Sequence, residues 1–311
     1  MATGPKAITL GAAAIRHQSF AARYHTIAAD YWALTKPDIN FLIAIATFAG
    51  FYLACLSQLH DFQLMLLIRT LLGTLLVAGG TGTLNQYVER RFDAQMRRTR
   101  RRPLAAGRLD PSSALRFGIL LFVAGGIYLA VAVNALASLL AVLTLASYLA
   151  VYTPLKRKTP LCTVVGALPG AMPPLIGWAG ATGNLSLEAW LLYAMLFLWQ
   201  FPHFMAIAWM YREDYSRAGY VVLPRGEQGG RFMSWQTLVA SLALIPVSLS
   251  PTVIGGASRA YFVVACILSF GFFCYSAHLA FRRSKVAARR LLMASIIYLP
   301  LGLFLMVLDK L

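Results

Sequence analysis

Acidic side chains are scarce in this sequence. Its 311 residues include only 11 Asp and Glu against 28 Lys and Arg, and charged residues of both signs make up just 13%. Soluble globular domains average about 25% charged residues, and disordered chains avoid apolar ones. Here 59% of the residues are apolar and the mean hydropathy is +0.65. The composition therefore excludes both classes and predicts an integral membrane protein.

Cysteine is also rare, which excludes a disulfide framework and a cysteine-ligated metal site. The four cysteines share no metal-ligand spacing and all fall in apolar runs, at Cys55, Cys162, Cys266 and Cys274. Thiols in such surroundings behave as small apolar side chains. We expect all four to be buried and without a chemical role.

Long apolar stretches dominate what remains. A bilayer core of about 30 Å requires about 20 apolar residues per helix. Nine stretches meet this length, at roughly 39–57, 64–84, 115–133, 136–153, 161–181, 187–210, 235–254, 260–281 and 291–308. The sequence therefore predicts an all-α polytopic membrane protein with nine transmembrane helices.

The basic residues lie on alternate connections between these stretches. Of the 28 Lys and Arg, 25 fall on the side that includes the N-terminus. Basic loops face the cytoplasm, so we expect a cytoplasmic N-terminus in the cell inner membrane, with the mitochondrial inner membrane as the alternative. The net charge of +17 then reflects topology and not nucleic-acid binding. Residues 1–30 are predicted to be a cytoplasmic tail, or a targeting sequence, and residues 31–311 a single transmembrane domain.

A row of polar residues follows the second apolar stretch. Asn85, Glu89 and Asp93 are spaced four residues apart, so on a helix they share one face. One amide and two carboxylates suit Mg²⁺, which takes one or two protein carboxylates and completes its shell with water and phosphate. The alternative is a helix end at which the two acids pair with Arg90 and Arg97 at helical spacing.

Two basic groups lie on the same predicted membrane side as this row. One comprises Arg97, Arg98, Arg100, Arg101 and Arg102. The other, Lys156-Arg157-Lys158, follows the fourth stretch. Both are typical of loops that only set topology. They also suit contacts with an anionic group held by the acidic row.

The fifth and sixth stretches contain unusual residues for membrane helices. The fifth has three prolines within six residues, Pro169, Pro173 and Pro174, and broken helices are tolerated where they line a cavity. Gln200 and His203 interrupt the sixth, which indicates either a functional surface or interhelical hydrogen bonds. A second polar cluster follows the sixth stretch, at Glu213, Asp214 and Arg217.

Several runs together resemble the membrane-embedded UbiA-type prenyltransferases over residues 31–308. The runs are Ala33-Leu-Thr-Lys-Pro, Asn85-x-x-x-Glu89-x-x-x-Asp93, Arg98-Thr-x-x-Arg102-Pro-Leu, Tyr152-Thr-x-Leu-Lys-Arg, Gly170-Ala-Met-Pro-Pro-Leu-Ile-Gly-Trp178, Trp199-Gln-Phe-Pro-His-Phe and Asp214-Tyr-x-Arg-Ala-Gly219. The fifth and sixth of these runs resemble the branch of the family that uses haem.

The resemblance implies nine helices around a central cavity, Mg²⁺ as cofactor, farnesyl diphosphate and haem B as substrates, and possibly the haem A-forming enzyme and membrane lipid as partners. It implies catalytic, metal-holding roles for Asn85, Glu89, Asp93 and Asp214. Diphosphate contacts are implied for Arg98, Arg102, Lys156, Arg157 and Arg217. The implied acceptor cavity comprises Pro174, Trp178, Gln200 and His203, with His203 as an iron ligand or a hydrogen-bonding group. Two alternatives stay open: another acceptor, such as a quinone precursor or a chlorophyllide, and a transporter of an anionic lipid.

Overall fold

The computed structural model describes residues 20–57 and 61–309, in which every regular element is helical. The helices are α1 (Phe20–Leu34), α2 (Pro37–Ser57), α3 (Leu64–Asp93), α4 (Pro111–Ala132), α5 (Ala135–Ala146), a π-helical segment (Ser147–Tyr152), α6 (Thr153–Leu155), α7 (Cys162–Gly170), α8 (Met172–Thr182), α9 (Leu187–Met210), α10 (Arg212–Arg217), α11 (Glu227–Val253), α12 (Arg259–Arg282) and α13 (Lys285–Asp309).

Nine helical spans in the described residues are long and apolar enough to cross a membrane. Two of them are composite, because α5 continues through the π-helical segment and α6, and α7 is followed directly by α8. The predicted all-α membrane fold with nine spans is thereby confirmed. The second span differs most from the prediction. Helix α3 continues to Asp93, well beyond the predicted end at residue 84, so the acidic row is helical throughout.

Polar side chains cap the N-termini of several of these helices. Asp110 caps α4 by accepting a hydrogen bond from the Ser113 amide at 2.9 Å, and Pro111 occupies the first turn. Asn134 caps α5 in the same way through the Ala137 amide. Such caps satisfy amides that no helical carbonyl reaches. Their position between apolar runs sets where each span begins.

The centre of the bundle is built on a very close contact between α2 and α8. A Cβ atom added to Gly177 would lie 2.0 Å from the Thr47 carbonyl oxygen, and one added to Gly50 would lie 2.2 Å from that of Pro174. Small residues are what permits helix backbones to approach this closely within a membrane. Pro174 is therefore packed against α2.

The fifth span is interrupted at Ala171, between α7 and α8, as its prolines suggested. Side chains of neighbouring helices bond to backbone carbonyls of this span. The Gln200 amide donates to the Ala167 carbonyl at 3.2 Å, and the Asn134 amide donates to the Ala179 carbonyl at 2.7 Å. The interhelical hydrogen bond considered for Gln200 is thus present.

The structure differs from the sequence-based expectations on cysteine burial and on the boundary at residue 30. The burial expected for all four cysteines is wrong, since Cys55 and Cys162 are buried, Cys266 is half-buried and Cys274 is exposed. Cys274 lies on the outer surface of α12, where an apolar thiol can face lipid. Helix α1 crosses the predicted boundary between residues 30 and 31, and residues 1–19 of the predicted tail lie outside the described residues.

Candidate active site

The acidic row is buried, and each member contacts a basic side chain. Lys36 Nζ donates to Asn85 Oδ1 at 2.6 Å, Lys156 Nζ to Glu89 Oε1 at 2.8 Å, and Arg102 donates to Asp93 Oδ2 at 2.8 Å. These three cations come from three different segments of the chain. The alternative in which Glu89 and Asp93 pair with Arg90 and Arg97 at helical spacing is therefore wrong.

Lys36 is held over the row by an unusual backbone. Its φ is +56°, a left-handed conformation that lysine rarely adopts and that costs of order 1–3 kcal/mol. The Gln86 amide on α3 compensates by donating to the Ala33 and Leu34 carbonyls at 3.1 Å, which fixes the end of α1. Burial, together with the nearby charge of Arg102, lowers the pKa of Lys36 to about 7.

Lys156 reaches the row from the connection after the fourth span. Its ammonium lies 4.4 Å from the centre of the Tyr152 ring, a cation–π distance, and the Val221 amide donates to its carbonyl at 2.7 Å. Burial pulls the pKa of Lys156 down, but the neighbouring oxygens of Tyr152, Tyr148 and Glu89 outweigh it and raise that pKa well above its ordinary value. The ammonium therefore stays charged beside Glu89.

The arginine-rich loop is folded back onto α1 and α3. The Thr99 hydroxyl donates to the Asp93 carbonyl at 2.9 Å. Arg108 forms a forked ion pair with Asp30 at 2.8–3.1 Å, and its hydrogen bond to Asp30 raises its pKa. Such forked pairs fix orientation as well as charge. Arg97, Arg98, Arg100 and Arg101 remain exposed around this folded loop.

The second polar cluster meets the first at this face. Asp214 accepts from Arg217 at 3.0 Å, and Arg98 donates to the Tyr215 hydroxyl at 3.1 Å, which links the loop after α3 to α10. Arg157 lies over the ring of Phe92, at 4.4 Å. Met96, Ala218 and Tyr220 form a small apolar cluster between the two segments. The structure thus brings every predicted diphosphate-contacting residue to one face.

The donor set of this face suits magnesium. Asp93 Oδ1 is buried and has no hydrogen-bond partner among the described residues, so one carboxylate oxygen is available. Within those residues, no three His, Cys, Asp or Glu side chains are close enough to hold a metal together. A site with few protein ligands fits Mg²⁺, which fills its octahedral shell with water and phosphate oxygens. It does not fit a closed structural metal site.

The four residues predicted for the acceptor cavity are dispersed. His203 Nδ1 lies 2.8 Å from the Ser295 hydroxyl on α13, and its ring stacks on Trp199. Gln200 is satisfied by α7, and Pro174 packs against α2. Trp178 lines a separate cavity of about 260 Å³, together with Glu188. The contacts of these four side chains are therefore with different partners, on α13, α7 and α2 and in the cavity beside Glu188.

Sequence reasoning missed two residues at the site. Lys36 is the one charged residue of the Ala33-Leu-Thr-Lys-Pro run, but no role at the site was predicted for it. Tyr220 was overlooked; burial first, and then the Glu89 carboxylate, raise the pKa of its phenol. No pattern pointed to Tyr220, because it lies 131 positions from Glu89 in the sequence.

This arrangement can now be compared with known proteins. A sequence profile of the UbiA prenyltransferase family matches residues 43–299. The chain belongs to the UbiA prenyltransferase family. Among curated UbiA-family relatives, the protoheme IX farnesyltransferase of Solibacter usitatus is 47% identical over 90% of this chain and 98% of its own. That of Salinibacter ruber is 42% identical over 90% of this chain and 98% of its own.

Solved UbiA-family structures share the fold. A digeranylgeranylglyceryl phosphate synthase superimposes with a TM-score of 0.71, at 16% identity, over 91% of this chain and 98% of its own. A UbiA homologue from Archaeoglobus fulgidus, bound to GPP and Mg²⁺, gives a TM-score of 0.58 at 16% identity, over 89% of this chain and 99% of its own. These likenesses establish the nine-span UbiA fold.

Proposed function

We propose that this UbiA-family transferase moves the farnesyl group of farnesyl diphosphate to a vinyl group of haem B, which yields haem O. The observation that carries the proposal is the buried row of Asn85, Glu89 and Asp93 with a cation on each member. Its relatives named protoheme IX farnesyltransferase, at 38–47% identity, support haem as the acceptor. The related structure with GPP and Mg²⁺ supports a prenyl diphosphate and magnesium.

In this proposal Asn85, Glu89, Asp93 and Asp214 surround magnesium and diphosphate, with no more than two of the three carboxylates on any one metal ion. Bound Mg²⁺ supplies positive charge that neutralises the leaving diphosphate. Lys156, Arg102 and Lys36 already lie within 2.8 Å of the acidic row, so the same side chains reach phosphate oxygens placed beside it. Arg98, Arg157 and Arg217 surround the group from the exposed side.

The reaction needs few covalent roles from the protein. The allylic C–O bond breaks, and diphosphate leaves with the electron pair. The terminal vinyl carbon attacks the farnesyl cation, which moves the positive charge to the carbon beside the porphyrin ring. Water then adds there and releases a proton, which gives a hydroxyethylfarnesyl side chain. The chain's contribution is to hold the diphosphate with fixed charges and to limit water around the cation.

For the acceptor, we propose that α8 and α9 contribute Pro174, Trp178, Gln200 and His203, either to direct contacts or to the shape of the cavity between the spans. The Nδ1 of His203 is engaged by the Ser295 hydroxyl. Nε2 is then the ring nitrogen that would form a hydrogen bond to haem or ligate its iron.

The direct test uses purified protein in detergent with haem B, farnesyl diphosphate and Mg²⁺. We expect a haem product heavier by one farnesyl group and one hydroxyl group, detected by mass spectrometry, and its loss when EDTA is added. A transporter gives no product without two compartments. Farnesylation of a quinone precursor or a chlorophyllide, with haem left unchanged, would contradict haem as the acceptor.

We further propose the cell inner membrane, a cytoplasmic N-terminus and residues 31–311 as one transmembrane domain, with the haem A-forming enzyme as a partner that accepts the product. Support for the orientation is the distribution of 25 of 28 Lys and Arg on one side. Single cysteines at Ser57 and Gly183, in a cysteine-free background, should react with an impermeant reagent from outside, and one at Ala106 should not. Labelling of all three from one side would contradict this orientation.

A further inference from the structure

A cleft on the outer surface of the bundle lies far from the acidic row in sequence. It runs between α12 and α13 and has a volume of about 590 Å³. On α12, Ile267, Gly271 and Tyr275 are spaced four residues apart and form one wall. On α13, Met293 and Ile297 form the other. All four side chains of these walls are 46–66% exposed, so the cleft opens away from the bundle.

The floor of the cleft is rigid. Phe272 and Tyr298 stack with ring centres 4.8 Å apart. The Tyr298 hydroxyl lies 2.7 Å from the Ser248 hydroxyl and 3.0 Å from that of Ser269, so the ring cannot swing out to fill the space. Gly271 adds to the depth, since a Cβ atom built there meets nothing within 4 Å. The cleft is therefore a fixed concavity and not a gap between mobile side chains.

Two arginines stand at one end of this apolar cleft. Arg289 and Arg290 both line it, both are exposed, and neither has an ion pair or hydrogen bond with any residue in 20–57 or 61–309. Their end of the cleft is the face of the active site, because neighbouring Lys285 pairs with Glu213 at 3.2 Å. Guanidinium groups form strong paired hydrogen bonds with anions such as phosphate. Beside apolar surface in a membrane, the phosphate of a lipid headgroup is the available anion.

We propose that this cleft binds one anionic phospholipid, with its headgroup on Arg289 and Arg290 and an acyl chain along Gly271 towards Ile267 and Ile297. A flexible acyl chain fits a concave apolar groove, whereas packed membrane helices prefer flat surfaces of small residues. A second copy of this chain on a two-fold axis would bring its own Arg289 and Arg290 towards the first pair, which is unfavourable. The charge and the shape of the cleft both favour lipid.

Native mass spectrometry of the detergent-solubilised protein tests this proposal. The probes are phosphatidylglycerol and phosphatidylcholine with identical acyl chains. We expect the first bound phosphatidylglycerol to be preferred, and each arginine removed, in Arg289→Gln and Arg290→Gln, to lower the preference about fivefold. Gly271→Leu puts an apolar side chain into the cleft at a position where an added Cβ atom meets nothing within 4 Å. It should weaken the first binding event for both lipids, while thermal unfolding stays as in the wild type.

Arg282→Gln is the matched control, because Arg282 is exposed at the same end of α12, has no ion pair among the described residues and does not line the cleft. It should bind like the wild type. If Arg282→Gln loses as much preference as the other two, the effect is general surface charge and the proposal is wrong. Unchanged binding by Gly271→Leu, or a dimer that dissociates in that variant, would also overturn it.

Discussion

Asp93 offers the sharpest test of the active-site assignment. Asp93 is 1% exposed, its Oδ2 accepts from Arg102 at 2.8 Å, and its Oδ1 is without a partner in the described residues. Asp93→Asn keeps the shape of the side chain and removes one negative charge. If that charge contacts Mg²⁺, its loss should cost several kcal/mol of transition-state stabilisation, which is roughly a thousandfold in turnover at about 1.4 kcal/mol per tenfold.

Folding should survive this substitution. Breaking a fully buried ion pair costs about 3–5 kcal/mol, but the Arg102 side chain is 29% exposed, so it can turn towards water. The expected loss of stability is therefore smaller than that range. Turnover should be measured across a Mg²⁺ titration, with thermal unfolding as the stability readout. Asp93→Asn should need more Mg²⁺ and still fail to reach wild-type turnover when saturated.

Two controls separate the possible causes. Asp110→Asn changes the same residue type in the exposed cap of α4, where asparagine caps as well as aspartate, and should be nearly silent. Arg102→Gln should raise the KM for farnesyl diphosphate without raising the Mg²⁺ requirement, because it removes a cation from Asp93 and keeps the carboxylate. If Asp93→Asn retains wild-type turnover and Mg²⁺ dependence, the acidic row is only an ion-paired helix end, and the reasoning is refuted.

Further predictions concern the neighbouring groups. Glu89→Asp should reduce turnover less than Asp93→Asn, since it keeps a carboxylate and only lengthens the 2.8 Å contact with Lys156; an equal loss would mean that geometry, and not charge, is critical at position 89. Lys156→Met should raise the KM for farnesyl diphosphate at least tenfold and lower the unfolding temperature, because Glu89 is left buried without its cation; unchanged kinetics would remove Lys156 from the diphosphate site. His203→Ala should raise the KM for haem B more than that for farnesyl diphosphate, whereas an equal loss of both would assign His203 to packing with Ser295 and Trp199. Gly177→Ala should prevent assembly of the bundle, seen as aggregation in size-exclusion chromatography, because its Cβ would lie 2.0 Å from the Thr47 carbonyl; Gly271→Ala is the tolerated control.

The sequence was sufficient to predict the features that depend on local spacing. Nine apolar runs gave the nine spans, three prolines indicated the break at Ala171, and four-residue spacing placed Asn85, Glu89 and Asp93 on one helix. Each of these depends on residues within one or two turns of each other. The predicted ends of spans were less accurate where polar residues continued a helix, as in α3.

The basic side chains that pair with the acidic row could not be predicted from local sequence spacing. Lys36 and Asn85 are 49 positions apart, and Lys156 and Glu89 are 67 apart. Their pairing depends on how α2, α3 and the connection after the fourth span pack, which helical periodicity does not encode. Trp178 illustrates the same limit, because the run that contains it was expected at a shared acceptor cavity. Packing of α8 makes Trp178 line a cavity together with Glu188, while His203 contacts Ser295 on α13.

The pairing of the acidic row also determines how the two ligands of the site depend on each other. In the proposed site, Mg²⁺ arriving alone would compete with a lysine or arginine for the negative charge of a carboxylate, and diphosphate arriving alone would have to draw those cations away from the acids. When both arrive together, the carboxylates take the metal and the cations take the phosphates, so no charge is left without a partner. In this proposal the ion pairs of the resting protein disfavour binding of either ligand by itself. Binding of Mg²⁺ and diphosphate is therefore expected to be strongly cooperative, by the same factor whichever is varied.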